Sequence, residues 1–203
     1  MVGAQTRGVF VNCPFDVGYR PLFRAIVYAI HDCGYAARSA LEVSDSADVR
    51  LTKILRIIGE CRLGIHDISR TELDAASGLP RFNMPLELGL FLGARHFGDS
   101  DQKRKACLVL DRGPRRYEKF ISDIKGVDIE SHADDPAQAI SAVRDWLDAK
   151  SADILPDGTV IASRFGVFAS ELPGICAAVR LRADRLTFKN YVQLVQRWLK
   201  LNP

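Results

Sequence analysis

The chain lacks the paired cysteines that mark a metal site or a disulfide framework. It has five, Cys13, Cys33, Cys61, Cys107 and Cys176, and no two form a CxxC pair. An odd number at irregular spacing argues against both a zinc site and a disulfide scaffold. Four of them lie in or beside apolar runs and read as small core residues, which predicts a reducing, cytoplasmic setting. Glycine-rich phosphate loops are missing too. Neither GxGxxG nor the P-loop pattern follows the first apolar run, so standard dinucleotide and P-loop binding are unsupported. The opening MVGAQTRG has no apolar stretch of the signal-peptide kind, and no run reads as long enough for a membrane span. Repeats and low-complexity segments are absent.

What remains is an ordinary globular composition. The 203 residues are 47% hydrophobic and 26% charged, enough for one sizeable core and a small appendage. Net charge is +3. Basic residues are scattered, apart from a modest cluster at Lys103, Arg104, Lys105 and Arg112, Arg115, Arg116. That pattern reads as a solvated surface and makes nucleic acid an unfavoured partner.

Residues 1–150 alternate between two kinds of segment. Gly8–Asn12, Tyr35–Leu41, Arg62–Ile68, Lys105–Asp111 and Gly126–Ser131 read as strands. Between and after them, helical spacing covers Pro21–Cys33, with Leu22, Ile26, Ala29 and Ile30 on one face, and Val49–Cys61, with Leu51, Ile54, Leu55 and Ile58. Further helices are expected at Met84–Ala94, Arg116–Ile124 and Pro136–Ala149. This alternation predicts a flavodoxin-like, doubly wound α/β domain with a five-stranded, mainly parallel sheet. After a linker-like stretch from Lys150 to Thr159, Val160–Leu181 and Thr187–Leu199 read as a helical hairpin. Residues 151–203 are too few for a strong core of their own. They are expected to dock on the sheet domain or on a second copy, which favours a homo-oligomer.

In such sheets ligands sit beyond the carboxyl ends of the strands. The polar groups delivered there are Asn12, Pro14-Phe15-Asp16 after strand 1, Arg38 and then Glu42 after strand 2, His66, Asp67, Ser69 and Arg70 at the end of strand 3, and Asp111-Arg112 at the end of strand 4. The next loop adds Arg81, Asn83 and Met84, then Glu87, the only charged residue from Met84 to Ala94. One reading makes Glu87 a cap at the third or fourth helical position, beside the positive end of the helix dipole. The other makes it a half-buried carboxylate with a task, partnered by Asn83 and by Arg38 or Arg81.

The segments "NCPFD" after strand 1, "GIHDIS" closing strand 3 and "NMPLELGLFLGA" resemble the nucleoside 2-deoxyribosyltransferase-like branch of the TIR/SLOG-type flavodoxin-like superfamily. The resemblance spans roughly residues 8–150. It aligns Asp67 with that branch's aspartate after strand 3, and Glu87-Leu88-Gly89 with its E-x-G helix start. Phe82-Asn83-Met84-Pro85 stands where the branch has small polar residues. The resemblance implies that Glu87 attacks or stabilises the anomeric carbon of a ribosyl group. It also implies service as an effector or sensor in bacterial stress or antiphage systems.

That chemistry passes through an oxocarbenium-like state, which needs a carboxylate on the sugar face. Asp67, Asn12 or Asp16 would bind hydroxyls, Phe15 and Met84 would flank the base, and Arg38 or Arg81 would meet a phosphate. NAD or another nucleotide carries all these parts as substrate or ligand, and no further cofactor or metal is required. Each residue also has a plain structural alternative. Asp67 would cap a loop, Asn12 would close a strand end, Phe15 would be core, and the arginines would pair with surface acids. Two functions follow: a nucleotide-directed N-glycosidase or deoxyribosyltransferase, with NAD the leading ribosyl donor, or a non-catalytic nucleotide-sensing module.

Overall fold

The structure, a computed structural model, describes residues 7–42, 49–73 and 78–203. Five parallel strands form one sheet: β1 (Gly8–Asn12), β2 (Ala36–Arg38), β3 (Leu63–Asp67), β4 (Ala106–Asp111) and β5 (Ile129–Ser131). Their spatial order is β2-β1-β3-β4-β5. The chain runs outward from β1 to β2, then returns across β1 to β3. The direction of winding therefore reverses between β1 and β3, where a doubly wound sheet opens a crevice.

Strand alternation assigns the two faces. Val9, Val11, Ile65 and Leu110 point into a core with α1 (Arg20–Asp32) and α4 (Pro136–Asp148), while Phe10 points the other way, onto α2 (Arg50–Glu60). Val109 meets α3 (Asn83–Phe97) on that second face. On α2 the buried stripe is Ile54, Ile57 and Ile58, spaced to seat on Phe10 and Phe91. Leu51 and Leu55, expected on that stripe, lie on the exposed side.

Three expected elements are shorter. β2 pairs only with Gly8–Phe10 of β1, so it spans three residues rather than the seven from Tyr35 to Leu41. β5 begins at Ile129 rather than Gly126, whose φ of +96° belongs to a turn. Residues 116–124 form two short 3₁₀ turns, Arg116–Lys119 and Ser122–Ile124, in place of a helix. Only Tyr117 among their residues is buried, too little apolar surface to hold an amphipathic helix.

The C-terminal hairpin, α5 (Gly158–Ala178) and α6 (Phe188–Leu201), covers α1 and α4 as a third layer. Asp157 caps α5 through the Thr159 N–H at 2.8 Å, and Thr187 caps α6 through the Asn190 N–H. Tyr28 of α1 stacks on Phe168, and Arg164 pairs with Asp32 at 3.1 Å. Residues of α5 and α6 thus join the sheet domain's own core. Contrary to expectation, α5 is long and apolar enough by composition to cross a membrane, the one such helix among the described residues. Here its Ile161, Phe168, Leu172 and Cys176 are buried within the hairpin's contacts.

Gly64 is the tightest point of the sheet. A Cβ there would lie 2.8 Å from His66 Nε2 and 2.8 Å from the Phe91 ring. Neither ring has room to retreat, because both side chains are fully buried. Gly64→Ala is expected to destabilise the fold by about 1–3 kcal/mol. A lower urea midpoint at unchanged denaturant slope would register it.

Candidate functional site

Three carboxylates gather at the carboxyl edge of the sheet, and they are treated very differently. Asp67 ends β3 with no solvent exposure. Its Oδ2 accepts the Tyr19 O–H at 2.5 Å, and its Oδ1 accepts the Ser69 N–H at 2.8 Å. His132 Nε2 lies 2.9 Å from Oδ2, close but without a hydrogen bond. Burial, then Asp67, push the Tyr19 phenol well above its ordinary range, keeping it a donor. Asp111 ends β4, also fully buried, and its Oδ1 accepts from Arg116 Nε at 2.9 Å and from the Arg112 N–H at 2.7 Å. Arg116 also donates to the carbonyls of Ile68 and Ser69, which ties the loop after β3 to β4.

Glu87 has no such support. It lies on the buried face of α3 with Met84, Leu88 and Phe91, and only 6% of its surface is exposed. Among the described residues no hydrogen bond reaches its carboxylate. Burial pushes its pKa up to about 7, and the nearest countervailing charge is Arg50 at the start of α2. It is the fifth residue of α3, beyond the capping positions, and α3 has no side-chain cap. The capping reading of Glu87 is therefore excluded.

The start of α3 is held by β1 and β3. The Asn12 amide donates to the Met84 carbonyl at 2.9 Å and lies 3.0 Å from His66 Nδ1. An amide nitrogen can only donate, so His66 Nδ1 accepts and its proton resides on Nε2. Burial first, then Lys105, lower the His66 pKa to about 3, which keeps the ring neutral. Lys105 is itself buried, donating to the carbonyls of Ile58 and Cys61. Asn12 and His66 are positioning residues for the helix that carries Glu87. Burial first, then Asp67, Glu87 and Asp16, push the thiol of Cys13, next along the chain, well above its ordinary range, so it is no nucleophile.

Two hollows flank the loop from Cys13 to Gly18. One, of about 170 Å³, lies between Pro14, Phe15 and Asp16 and the first residues of α6. The other, of about 500 Å³, is an open cleft with Arg70, Arg81 and Arg112 against Asp16 and Glu72. Arg112 pairs with Glu72, and Arg81 pairs with Asp16 at 3.5 Å. Arg70 Nε is buried without a partner. Glu87 lines neither hollow.

The structure thus brings Asn12, Asp67, Ser69, Met84 and Glu87 to one edge, with Pro14, Phe15, Asp16 and Arg81 in the adjoining loops. Several roles change. Met84 is not a wall for a base, since its side chain is packed with Ile68, Leu88, Val109 and Tyr117. Both Asp67 oxygens are engaged, which assigns it to holding Tyr19 and His132 rather than to chemistry. Arg38 belongs to Glu42 and Glu60, at 2.6 and 2.9 Å, and is not the cation beside Glu87. Asn83 is exposed at the first position of α3. Arg70 and Asp111 were expected at this edge without an assigned role, and Tyr19, Arg50, Arg116 and His132 were not among the expected site residues. Their parts depend on contacts between elements far apart in sequence, although "LVLD" closing β4 marks Asp111.

The raised Glu87 pKa has a stability consequence. A carboxyl whose folded pKa lies above its ordinary 4.5 is protonated in the folded chain and ionised in the unfolded one between those values. Stability falls as pH rises through that window and stays lower above it. Glu87→Gln is therefore expected to stabilise the protein at pH 8 by about 1–3 kcal/mol, with little gain at pH 4. Thermal melts of both proteins at the two pH values check this.

No family model, curated protein or solved structure matches the chain.

Proposed function

We propose that the protein cleaves or transfers the N-glycosidic bond of a nucleotide, with Glu87 as the carboxylate facing the ribosyl carbon. The observation that carries this reading is a carboxyl buried at the sheet's switch point with a pKa of about 7 and no hydrogen bond from the described residues. When the bond from the anomeric carbon to the base nitrogen breaks, its electron pair leaves with the base. Positive charge then grows on the anomeric carbon and ring oxygen. A carboxylate largely withdrawn from water, with no hydrogen bond from the described residues, gains more from that charge than a solvated one would. It is poorly stabilised in the resting protein and well stabilised in the transition state, which is the differential binding that accelerates a reaction. Water or an acceptor base then closes the anomeric carbon.

The arginine cleft supports a phosphate-bearing substrate. Arg70, Arg81 and Arg112 surround it, and the guanidinium fork suits phosphate oxygens. NAD and mononucleotides both satisfy this. The same cleft also favours a second reading, a sensing module that binds nucleotide without turning it over. Assembly would then be the output, with exposed Val160, Val167 and Val179 on the C-terminal helices available to it.

Incubation with NAD and with nucleoside monophosphates, followed by chromatography of free base, separates the two. Size measurement on the same samples reports any assembly. Glu87→Gln is expected to lower base release at least about a hundredfold while the fold is retained. In the wild type, kcat/KM is expected to rise with pH through about 7, since the ionised carboxylate is the active form. Undiminished base release by Glu87→Gln would remove Glu87 from the mechanism. Tight binding without product would favour the sensor.

A further inference from the structure

The smaller hollow lies outside the carboxylate edge, and part of its wall comes from the C-terminal hairpin. Four rings bound it: Phe15 and Phe23 from the β1–α1 side, Phe188 and Tyr191 from α6. Phe15 meets Phe23 edge-on at 5.5 Å, and Phe23 is tilted on Phe188 at 5.9 Å. Protein interiors close such gaps, yet about 170 Å³ stays open here, the space of five or six waters. Arg20 and Arg24 hold it open. Each reaches from α1 to a carbonyl of the α5–α6 connection, at Asp184 and Ala183 respectively. Tyr191 returns the tie, its O–H donating to the Arg24 carbonyl at 2.9 Å. Phe15 stands at the mouth with 38% of its surface exposed.

The walls have a definite electrostatic character. Ring faces accept a flat heterocycle by stacking, whatever its identity. Two guanidinium groups line the space, with one carboxylate, Asp16, that is already paired with Arg81. A cationic ring meets net repulsion there, and a neutral ring does not. Asp16 also lines the arginine cleft, so the two hollows share an edge.

We infer that this hollow is a subsite for the neutral planar base of a nucleotide whose phosphate lies in the arginine cleft, with α6 supplying two of its four rings. The inference rests on the nucleotide reading above and narrows it. If NAD is the substrate, its adenine occupies this hollow and its charged nicotinamide does not. It also gives the C-terminal hairpin a part in choosing the ligand.

Fluorescence anisotropy with etheno-AMP as probe, competed by AMP, nicotinamide mononucleotide and ribose 5-phosphate, tests this. AMP is expected to bind at least about tenfold more tightly than either of the other two. Phe188→Ala should weaken AMP by about tenfold and leave ribose 5-phosphate within roughly twofold of wild type. Phe15→Ala, at an exposed position, should weaken AMP in the same direction with an unchanged melting temperature. It decides the matter if Phe188→Ala fails to fold. The subsite is overturned if Phe15→Ala binds AMP as the wild type does, if nicotinamide mononucleotide or ribose 5-phosphate matches AMP, or if no competitor binds at millimolar concentration. Such a result beside Glu87-dependent base release overturns the subsite alone. Base release that survives Glu87→Gln, with ring binding as expected, removes the glycosidase and leaves the subsite.

Discussion

The cost of burying a carboxylate governs the upper edge of this sheet. Asp67 and Asp111 end adjacent strands with no exposure. Groups from distant parts of the chain compensate Asp67, whereas Asp111 is bonded only through Oδ1 by nearby residues, its Oδ2 lacks a partner among the described residues and burial raises its pKa. Asp67 is met by Tyr19 from before α1, by its own loop, and by His132 from beyond β5. Asp111 is met by Arg116. Removing a partner from such a group leaves a buried charge exposed to its full desolvation penalty. These knots therefore fix the loops after β1, β3, β4 and β5 relative to one another. Against that background Glu87 is an exception. The same edge that hydrogen-bonds two acids leaves the third without a bond from any described residue, at a pKa of about 7. A fold built only for stability would place a leucine there.

Glu87 is placed by a chain of constraints that begins in β1. Asn12 clamps the first turn of α3 through the Met84 carbonyl, and the same amide orients His66. His66 and Phe91 fit only because residue 64 has no side chain. Met84 and Leu88 anchor the helix on Ile68 and Val109, while Phe91 anchors it on Phe10 and α2. Glu87 lies one turn before Phe91 on the same face, so it is carried towards α2, where Arg50 begins that helix. Its burial follows from the packing of its neighbours and not from any bond of its own.

How much of this could be read from the residues follows from the range of each interaction. β1 and the end of β4 were legible because a short apolar run closed by a polar residue is a local pattern. The all-parallel sheet followed from the alternation of strands and helices. Glu87 stood out because it is the one charge in an apolar helix. The structural alternatives for Arg38 and Asp67 were legible, an acid pair and a loop cap. The packing of Met84 and the Tyr19 and His132 contacts of Asp67 were not, because each is decided by a partner elsewhere in the chain. Arg38 has two acids within reach, Glu42 and Glu60, and only the second lies on another element. Tyr19 and His132 gave no signal, since a lone tyrosine or histidine acquires meaning only when the fold sets it against Asp67. The face of α2 was misread because Leu51 and Leu55 also fit a helical spacing. Register against Phe10 and Phe91 selects Ile54, Ile57 and Ile58 instead.

The C-terminal hairpin meets the sheet edge through the same loop that follows β1. Cys13 faces the carboxylate edge, while Pro14, Phe15 and Asp16 face the hollow against α6. A loop used on both sides cannot shift towards one without disturbing the other. The guanidinium ties from α1 to the carbonyls of Ala183 and Asp184 make that coupling stiff, because each donor is fixed to backbone rather than to a mobile side chain. The hairpin's own cohesion serves the same end. Trp198 Nε1 donates to Glu171 at 2.7 Å, locking α6 to α5, and α5 is locked to α1 by Arg164 and Asp32. Any ligand that wedges between Phe15 and α6 would therefore push on Asp16 and its ion pair with Arg81, at the foot of the helix that carries Glu87. Asp16 is thus shared between the wall of the hollow and the ion pair with Arg81 just before α3.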